Sequence, residues 1–348
     1  MNSFAGGGAE RVCMNLAKQL NKLNIESDFV TIYSHKPDYD IPDYIHTYSL
    51  GIKDQLLACV LIVRWVSRVN NFISDKEYVL ISAHLPTAHF LASLTKVGKK
   101  TFYVMHGSQH LIDKRNSKLY RFCLRMFLKG KKIITVSKGL EDELKTEYRI
   151  NPKCITTIYN PCCIEHLDNS MNFSHMHPYI LVMGRLEEEK APLLALELYY
   201  KGHFYNDYDL VYLGKGTLEI ALKRKIEEFH LQNNVFLMGF QKNPEQWIRN
   251  ASLLLSCSRW EGLPMNLVEA LYYQTPVVAS DCPYGSKEIM IGELRKYLIY
   301  PEKTCRSISI ISSALKSYPE IKEEYCRRFH SEQIVKRYLD VWKRNFGK

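Results

Sequence analysis

Two carboxylates, Glu261 and Glu269, bracket what reads as the start of a helix, with Gly262-Leu263-Pro264-Met265-Asn266-Leu267 between them. Gly262 supplies backbone freedom, and Pro264 suits the first position of a helix. The orphan N–H groups of such a start, at Met265 and Asn266, would point at a phosphate or sugar oxygen. Both carboxylates could then accept hydrogen bonds from the hydroxyls of one sugar ring. The bland alternative has Glu261 capping the helix dipole and Glu269 on the surface. Arg185 and Lys190 stand in Gly184-Arg185-Leu186-Glu187-Glu188-Glu189-Lys190, directly after a strand-like run. A rigid guanidinium fork and a mobile ammonium can grip a diphosphate from two sides. Read alone, the same segment is a solvated cluster whose glutamates neutralise its cations.

Gly6-Gly7-Gly8 precedes a helical stretch, so backbone N–H groups there could approach a phosphate closely, or the triplet could be a tight turn. It is neither the dinucleotide fingerprint nor a P-loop, since no Gly-Lys-Ser/Thr follows. His106-Gly107 ends another strand-like run, a place where a histidine can serve a ligand as well as the fold. Asp207-Tyr208-Asp209 has a D-x-D form, but it stands before a strand rather than after one, and no other spacing supports a metal site.

The elements that must position these residues alternate along the whole chain. Strand-like runs are expected at 28–32, 78–82, 101–105, 132–136 and 155–158, then at 179–183, 209–213, 235–238, 252–256 and 276–280. Helical stretches between them include 9–20, 138–149, 190–201, 218–229 and 265–273, with a last helix at 331–345. Runs such as Leu253-Leu254-Leu255 are apolar on both faces, as strands of a buried parallel sheet must be. Strand and helix in strict turn imply an α/β fold of two doubly wound units joined near Asn160-Pro161. Ligands of such sheets sit at the carboxyl ends of the strands.

Composition agrees with a two-domain globular protein: 348 residues, 46% hydrophobic and 24% charged. Ten cysteines show no C-x-x-C pair and no zinc spacing, so free, mostly buried thiols are expected. The longest apolar run, Leu56 to Val63, is well short of the ~20 residues that cross a bilayer, and no secretory signal opens the chain, which reads as cytosolic. The net charge of +10 is uneven: residues 1–165 hold +8, from 23 Lys and Arg against 15 Asp and Glu. An anionic partner follows, but no nucleic-acid-binding signature accompanies the charge.

Taken in order, these signals resemble the retaining glycosyltransferases of family 4, group 1, which have the two-domain GT-B fold. The resemblance runs through Gly7-Gly8-Ala9-Glu10-Arg11, His106-Gly107, Val136-Ser137, Ile158-Tyr159-Asn160-Pro161, Gly184-Arg185-Leu186 with Lys190, Leu213-Gly214-Lys215-Gly216, Leu237-Met238-Gly239-Phe240, Ser258 to Glu269, and Arg328-Phe329-His330-Ser331. It implies an acceptor-side Rossmann-like domain at 1–163, a nucleotide-sugar-binding one at 164–329, the two facing a cleft, and a helix at 330–348 crossing back to the first. By residue, it implies that Arg185 and Lys190 bind the donor diphosphate and that Glu261 contacts the transferred sugar. The backbone from Gly262 to Leu267, through Leu263, Pro264, Met265 and Asn266, would hold sugar and phosphate. Glu269 would accept from the ribose hydroxyls, Phe240 would lie near the base, His106 near the reacting sugar, and Gly184, Gly7 and Gly8 near the diphosphate.

The activity implied is transfer of a hexose or N-acetylhexosamine from a nucleotide sugar, with UDP the expected carrier, to a glycan or lipid-linked acceptor. Retention of configuration, no metal or other cofactor, and a role in bacterial surface polysaccharide such as capsule or lipopolysaccharide are implied with it. The alternatives are an inactive regulatory subunit of the same fold, or a nucleotide-sugar epimerase. In one respect the chain departs from the family, whose members open with a strand of about seven apolar residues before the glycine loop. Only Met1-Asn2-Ser3-Phe4 precede Ala5 here, so neighbouring strand edges should be left unpaired and a misplaced start is expected. Finally, Lys114 to Lys132 interleaves basic and apolar residues. Such a helix can lie on the inner face of an anionic membrane, or pack on the sheet with its cations in water.

Overall fold

The computed structural model describes residues 1, 7–33, 41–52, 58–74, 76–108, 118–163 and 177–347. Two compact units result, Met1–Cys163 with Phe329–Lys348, and Ile164–Arg328. In the first, strands β1 (Ser27–Tyr33) and β2 (Ile45–Ile52) pair in parallel. Strands β3 (Ser82–His84), β4 (Phe102–Met105), β5 (Lys132–Thr135) and β6 (Ile155–Thr157) form a second parallel sheet in that order. Helices α1 (Gly8–Asn21), α2 (Ala58–Ser74), α3 (Pro86–Ser93), α4 (Lys118–Leu128) and α5 (Lys138–Thr146) connect them. Every residue of β4 is buried, as a strand covered on both faces must be.

A doubly wound unit should hold one continuous sheet, whereas the described residues of the first unit give two. Between β1 and β3 lies a cavity of about 740 Å³, lined by Met1, Ile32, Leu50, Phe72, Ala83 and Leu91 among others. Met1 pairs with β1: its amino group donates to the Val30 carbonyl and its own carbonyl accepts from the Ile32 N–H. Among the described residues no strand spans the gap.

The second unit is a single parallel sheet. Its strands are β7 (Tyr179–Met183), β8 (Asp209–Leu213), β9 (Val235–Leu237), β10 (Leu253–Ser256), β11 (Val277–Ser280) and β12 (Leu298–Ile299), in the order β12-β11-β10-β7-β8-β9. Helices α6 (Pro192–Lys201), α7 (Glu219–Glu228), α8 (Glu245–Asn250), α9 (Met265–Tyr272), α10 (Ser286–Ile289) and α11 (Thr304–Lys316) alternate with them. The chain winds outward from β7 through β8 to β9, then returns to place β10 on the other side of β7. The strand order therefore reverses between β7 and β10, where doubly wound sheets open a crevice at their carboxyl edge.

After Arg328 the chain rejoins the first unit. The Cys162 N–H donates to the Phe329 carbonyl at 2.9 Å. A last helix, α12 (Ser331–Phe346), packs on α1 and buries Ile334, Val335, Tyr338 and Val341.

Several elements differ from the sequence expectation, each for a local reason. The run at 78–82 is a strand only from Ser82, because the ladder to β4 pairs Ser82 with Phe102 onward. Upstream, the Tyr78 hydroxyl is instead drawn to Asp28, at 2.8 Å. Strand β2 was not expected, since Ile-His-Thr-Tyr-Ser-Leu-Gly-Ile has no continuous apolar run and its Gly51 has φ +67°. The helix expected at 138–149 ends at Thr146, and Arg149 takes φ +51°. Lys190 lies in a short 3₁₀ turn, and α6 starts only at Pro192, after Ala191 with φ +46°. Pro264 stands just outside its helix, extended at ψ 97°, rather than at the first helical position.

Candidate active site

The carboxyl ends of the second unit's strands carry most of the residues singled out by type and spacing. After β7, Gly184 has φ +149°, and the loop beyond it is tied to the loop after β8. The Leu186 N–H donates to the Lys215 carbonyl and the Leu218 N–H to the Leu186 carbonyl, both at 2.9 Å. Gly214, with φ +146°, passes so close to the Gly184 carbonyl that any side chain would collide with it. Glu187 accepts from the Thr217 N–H at 2.9 Å and from its hydroxyl at 2.6 Å, and these bonds hold its carboxyl below the usual range. That anchoring fixes the loop that bears Arg185 and Lys190.

The two cations have different partners. Arg185, 65% exposed, forms an ion pair with Glu189 four residues along the loop. Lys190 reaches across the reversal point instead, and its Nζ lies 2.5 Å from Glu261 Oε1 in the loop after β10. Glu261 is only 9% exposed, and the Ser258 hydroxyl donates to the same Oε1 at 2.6 Å. A buried carboxylate thus meets one ammonium and one hydroxyl, which offset the cost of removing it from water.

The start of α9 completes this group. Among the described residues, the Met265 and Asn266 N–H groups meet no acceptor, so two orphan donors with the positive helix end stand beside Glu261. Asn266 Nδ2 donates to the carbonyl of Met183, the last residue of β7, at 3.0 Å, and this bond locks the helix start against the Gly184 loop. Gly285, at φ +76°, leaves no room for a side chain: a Cβ there would lie 2.7 Å from Pro264 Cδ and 2.9 Å from the Gly262 carbonyl oxygen. Glu269 is buried, 7% exposed, in the second turn of α9, which excludes the reading of it as a surface residue. Phe240 is part-exposed after β9, next to Gly239, whose carbonyl accepts from the Gly214 N–H at 2.8 Å.

The remaining candidates belong to the first unit. Gly7 caps α1 with extended φ and ψ, and the buried Glu10 folds back so tightly that its carboxyl would meet any Cβ added at Gly7. A carboxylate therefore already lies over the positive end of α1. Gly8 is the first helical residue, and Gly6 lies outside the described residues.

His106 follows β4 and belongs to a group of histidines. Its Nε2 lies 2.7 Å from Nδ1 of His84 at the end of β3, and His84 Nε2 lies 2.9 Å from the Ser82 hydroxyl. His89 on α3 donates from Nε2 toward the carbonyls of Ala83 and Val104, both at 3.1 Å. Burial, with the neighbouring His89, lowers His106 to about 3, and burial lowers His89 to about 4. His84 is lowered as well, by burial and then by His106. All of them are neutral near pH 7.

Sequence reasoning passed over His84, Ser258 and Gly285 as site residues, whereas Glu189 was read as one of the glutamates neutralising the loop's cations, and it does pair with Arg185. Ser258 sits three residues before Glu261, a spacing that could have flagged it, whereas Gly285 is legible only from the backbone it touches. Asp209 of the D-x-D is buried at the amino end of β8, opposite to these loops, with His177 Nδ1 at 3.5 Å. Among the described residues no cluster of histidine, cysteine or carboxylate side chains could hold a metal ion.

Comparison with known proteins finds relatives along the chain. The model of Glycosyltransferase Family 4 matches residues 6–166, and that of Glycosyl transferases group 1 matches residues 164–332. The N-acetylgalactosamine-N,N'-diacetylbacillosaminyl-diphospho-undecaprenol 4-alpha-N-acetylgalactosaminyltransferase of Campylobacter jejuni is 26% identical over 303 residues, 82% of this chain and 81% of that enzyme. Among solved structures, a Staphylococcus aureus TarM variant in complex with UDP superimposes with TM-score 0.76 at 14% identity, covering 98% of both chains. HepE of Anabaena, in complex with UDP and glucose, gives 0.75 at 16% identity, over 98% of this chain and 97% of that one. With both halves matched in order and the architecture shared end to end, the chain belongs to the family 4, group 1 glycosyltransferases, enzymes of the GT-B fold.

Proposed function

We propose that this enzyme transfers a hexose or N-acetylhexosamine from UDP to a glycan or lipid-linked acceptor in bacterial surface-polysaccharide assembly, with retention and without a metal. The observation that carries the reading is the Lys190–Glu261 pair beside the orphan N–H groups of Met265 and Asn266. Breaking a glycosyl–phosphate bond leaves negative charge on the diphosphate. An ammonium, the Arg185 guanidinium and a helix N-terminus offset that charge from fixed positions, with no ion needed. Glu261 positions the sugar through its hydroxyls, and the buried Glu269 accepts from the ribose. Attack comes from the face of the leaving group: the acceptor oxygen bonds to the anomeric carbon, the carbon–phosphate-oxygen bond breaks, and that oxygen takes the acceptor's proton. His106 serves the reacting sugar, as the family resemblance implies.

The donor and acceptor classes draw support from the relatives. The Campylobacter enzyme's name specifies a diphospho-undecaprenol-linked acceptor, and the TarM and HepE structures contain UDP. No helix among the described residues is long and apolar enough to cross a membrane. Helix α4 nevertheless suits contact with an anionic inner leaflet. Leu124, Phe127 and Leu128 turn inward, while Leu119, Phe122 and Met126 are 70%, 60% and 51% exposed. Exposed Lys118, Arg125 and Lys129 flank that outer stripe.

The test is a thermal-shift panel of UDP, GDP, ADP and their sugar conjugates, followed by turnover of the best donor with and without EDTA. Selective stabilisation by UDP species and chelator-resistant transfer are expected. Release of free UDP and an epimerised sugar without any acceptor would establish the epimerase instead. Binding with no turnover, whatever acceptor is offered, would mark a regulatory subunit.

A further inference from the structure

Side chains alternate along a strand, so Ser82 and His84 share one face of β3. His84 pairs with Val104 of β4, and His106, two residues on, continues the same side. The register alone thus brings three polar side chains into a line, Ser82 to His84 to His106, joined at 2.9 and 2.7 Å. His84 is buried, 4% exposed, and makes no other hydrogen bond among the described residues. Its two hydrogen bonds offset the cost of burying it, and both run along this line.

A neutral imidazole has one donor and one acceptor nitrogen. In one proton order, the Ser82 hydroxyl donates to His84 Nε2 and His84 Nδ1–H donates to His106 Nε2. In the other, His106 Nε2–H donates to His84, whose Nε2–H donates to Ser82. Either way the Nε2 of His106 is committed, and Nδ1 is the nitrogen left for a ligand. Among the described residues, the other titratable groups acting on this pair are His89 on α3 and the Met1 amino group, and both disfavour a positive charge on it.

We propose that His84, backed by Ser82, is a positioning residue: it holds the ring of His106 and ties its tautomer to the proton order of the Ser82–His84 pair, so that His106 meets the reacting sugar through Nδ1 as a neutral imidazole. This rests on the reading that His106 takes part in transfer. Which nitrogen of a histidine carries the proton is set by the hydrogen bond made by the other, so removing His84 should release that choice while leaving donor binding alone.

The experiment has two arms. In ¹⁵N NMR of the histidine-labelled, ligand-free protein, wild-type His106 should show the nitrogen shifts of one tautomer. His84→Leu should average them, and His84→Asn, which keeps a polar group near the Nδ1 position, should restore them. In kinetics with the UDP-sugar turned over by the wild type, His84→Leu should lower kcat roughly 10- to 100-fold at unchanged KM. His84→Asn should recover most of that loss, and adding His84→Leu to His106→Ala should cost nothing further. Should His84→Leu fail to fold, Ser82→Ala serves in its place, with a smaller loss in the same direction.

Wild-type tautomer shifts retained in His84→Leu, or losses that multiply in the double variant, overturn the proposal. A fully active His106→Ala instead sinks the reading that His106 serves transfer, and the NMR arm still decides whether His84 holds its tautomer.

Discussion

The Lys190 ammonium stands 2.5 Å from Glu261 Oε1 and bridges the loops after β7 and β10 where the strand order of the sheet reverses. One contact therefore joins the group placed for a diphosphate to the group placed for a sugar. Lys190→Ala should lower turnover by about 10²–10³-fold, the usual cost of losing one fixed charge-stabilising donor. It should also destabilise the fold by about 1–3 kcal/mol, because Glu261 stays buried with Ser258 as its one remaining partner here. Adding Glu261→Gln should recover part of that stability and none of the activity, read by urea unfolding and donor turnover on the same preparations.

Arg185 has a competitor for its ligand. Its guanidinium is paired with Glu189, and a diphosphate must displace that carboxylate or share the cation with it. Glu189→Gln should tighten UDP binding by about 2- to 5-fold, in line with the modest worth of an exposed ion pair. Calorimetric titration at low and high salt should show the gain shrinking as salt rises. An unchanged Kd would mean that Arg185 does not meet the diphosphate.

The histidines of the first unit make stability depend on pH. His89 is held at about 4 and His106 at about 3, with His84 also lowered, whereas unfolded histidines take up protons near 6.5. As pH falls below 6.5 the unfolded state binds more protons than the folded state, so stability is complete above that value and lost toward 4. Each histidine adds a slope of about 1.4 kcal/mol per pH unit within the window. Urea unfolding between pH 7.5 and 4.5 should show this fall, and His89→Leu, less stable at neutral pH, should show a shallower one.

Helix α4 offers a test of membrane contact that spares the catalytic loops. Phe122→Ala with Met126→Ala should weaken flotation with anionic liposomes, and Arg125→Glu should abolish the preference for anionic over neutral lipid. Arg121 is the poorer choice for charge reversal, since it is paired with Glu147 at 3.1 Å. Unchanged flotation in both variants would remove α4 as the contact.

The strands of the second unit could be read from sequence because they are buried on both faces. Tyr179–Met183 and Asp209–Leu213 stand where continuous apolar runs put them. Strand β2 could not, since its pairing rests on register with β1 rather than on an apolar pattern of its own. The loops bearing Arg185, Lys190 and Glu261 were legible as strand-end segments. Their actual partners were not: nothing in Glu187-Glu188-Glu189 says that the first bonds Thr217, the second approaches Arg259 at 3.5 Å and the third holds Arg185. His84 escaped notice for the same reason. Its meaning lies in a register that sets it beside His106, 22 positions away.

Helix α12 ties the order of synthesis to the order of completion. Residues 164–328 form one unbroken compact unit, whereas the first unit includes Phe329–Lys348. On the ribosome the part made first must therefore wait for the part made last, with the face of α1 that α12 covers still wet. At bacterial elongation rates the intervening segment takes roughly 10 to 30 s to make. The later unit can reach its final state inside that interval, so the chain finishes its middle before its beginning.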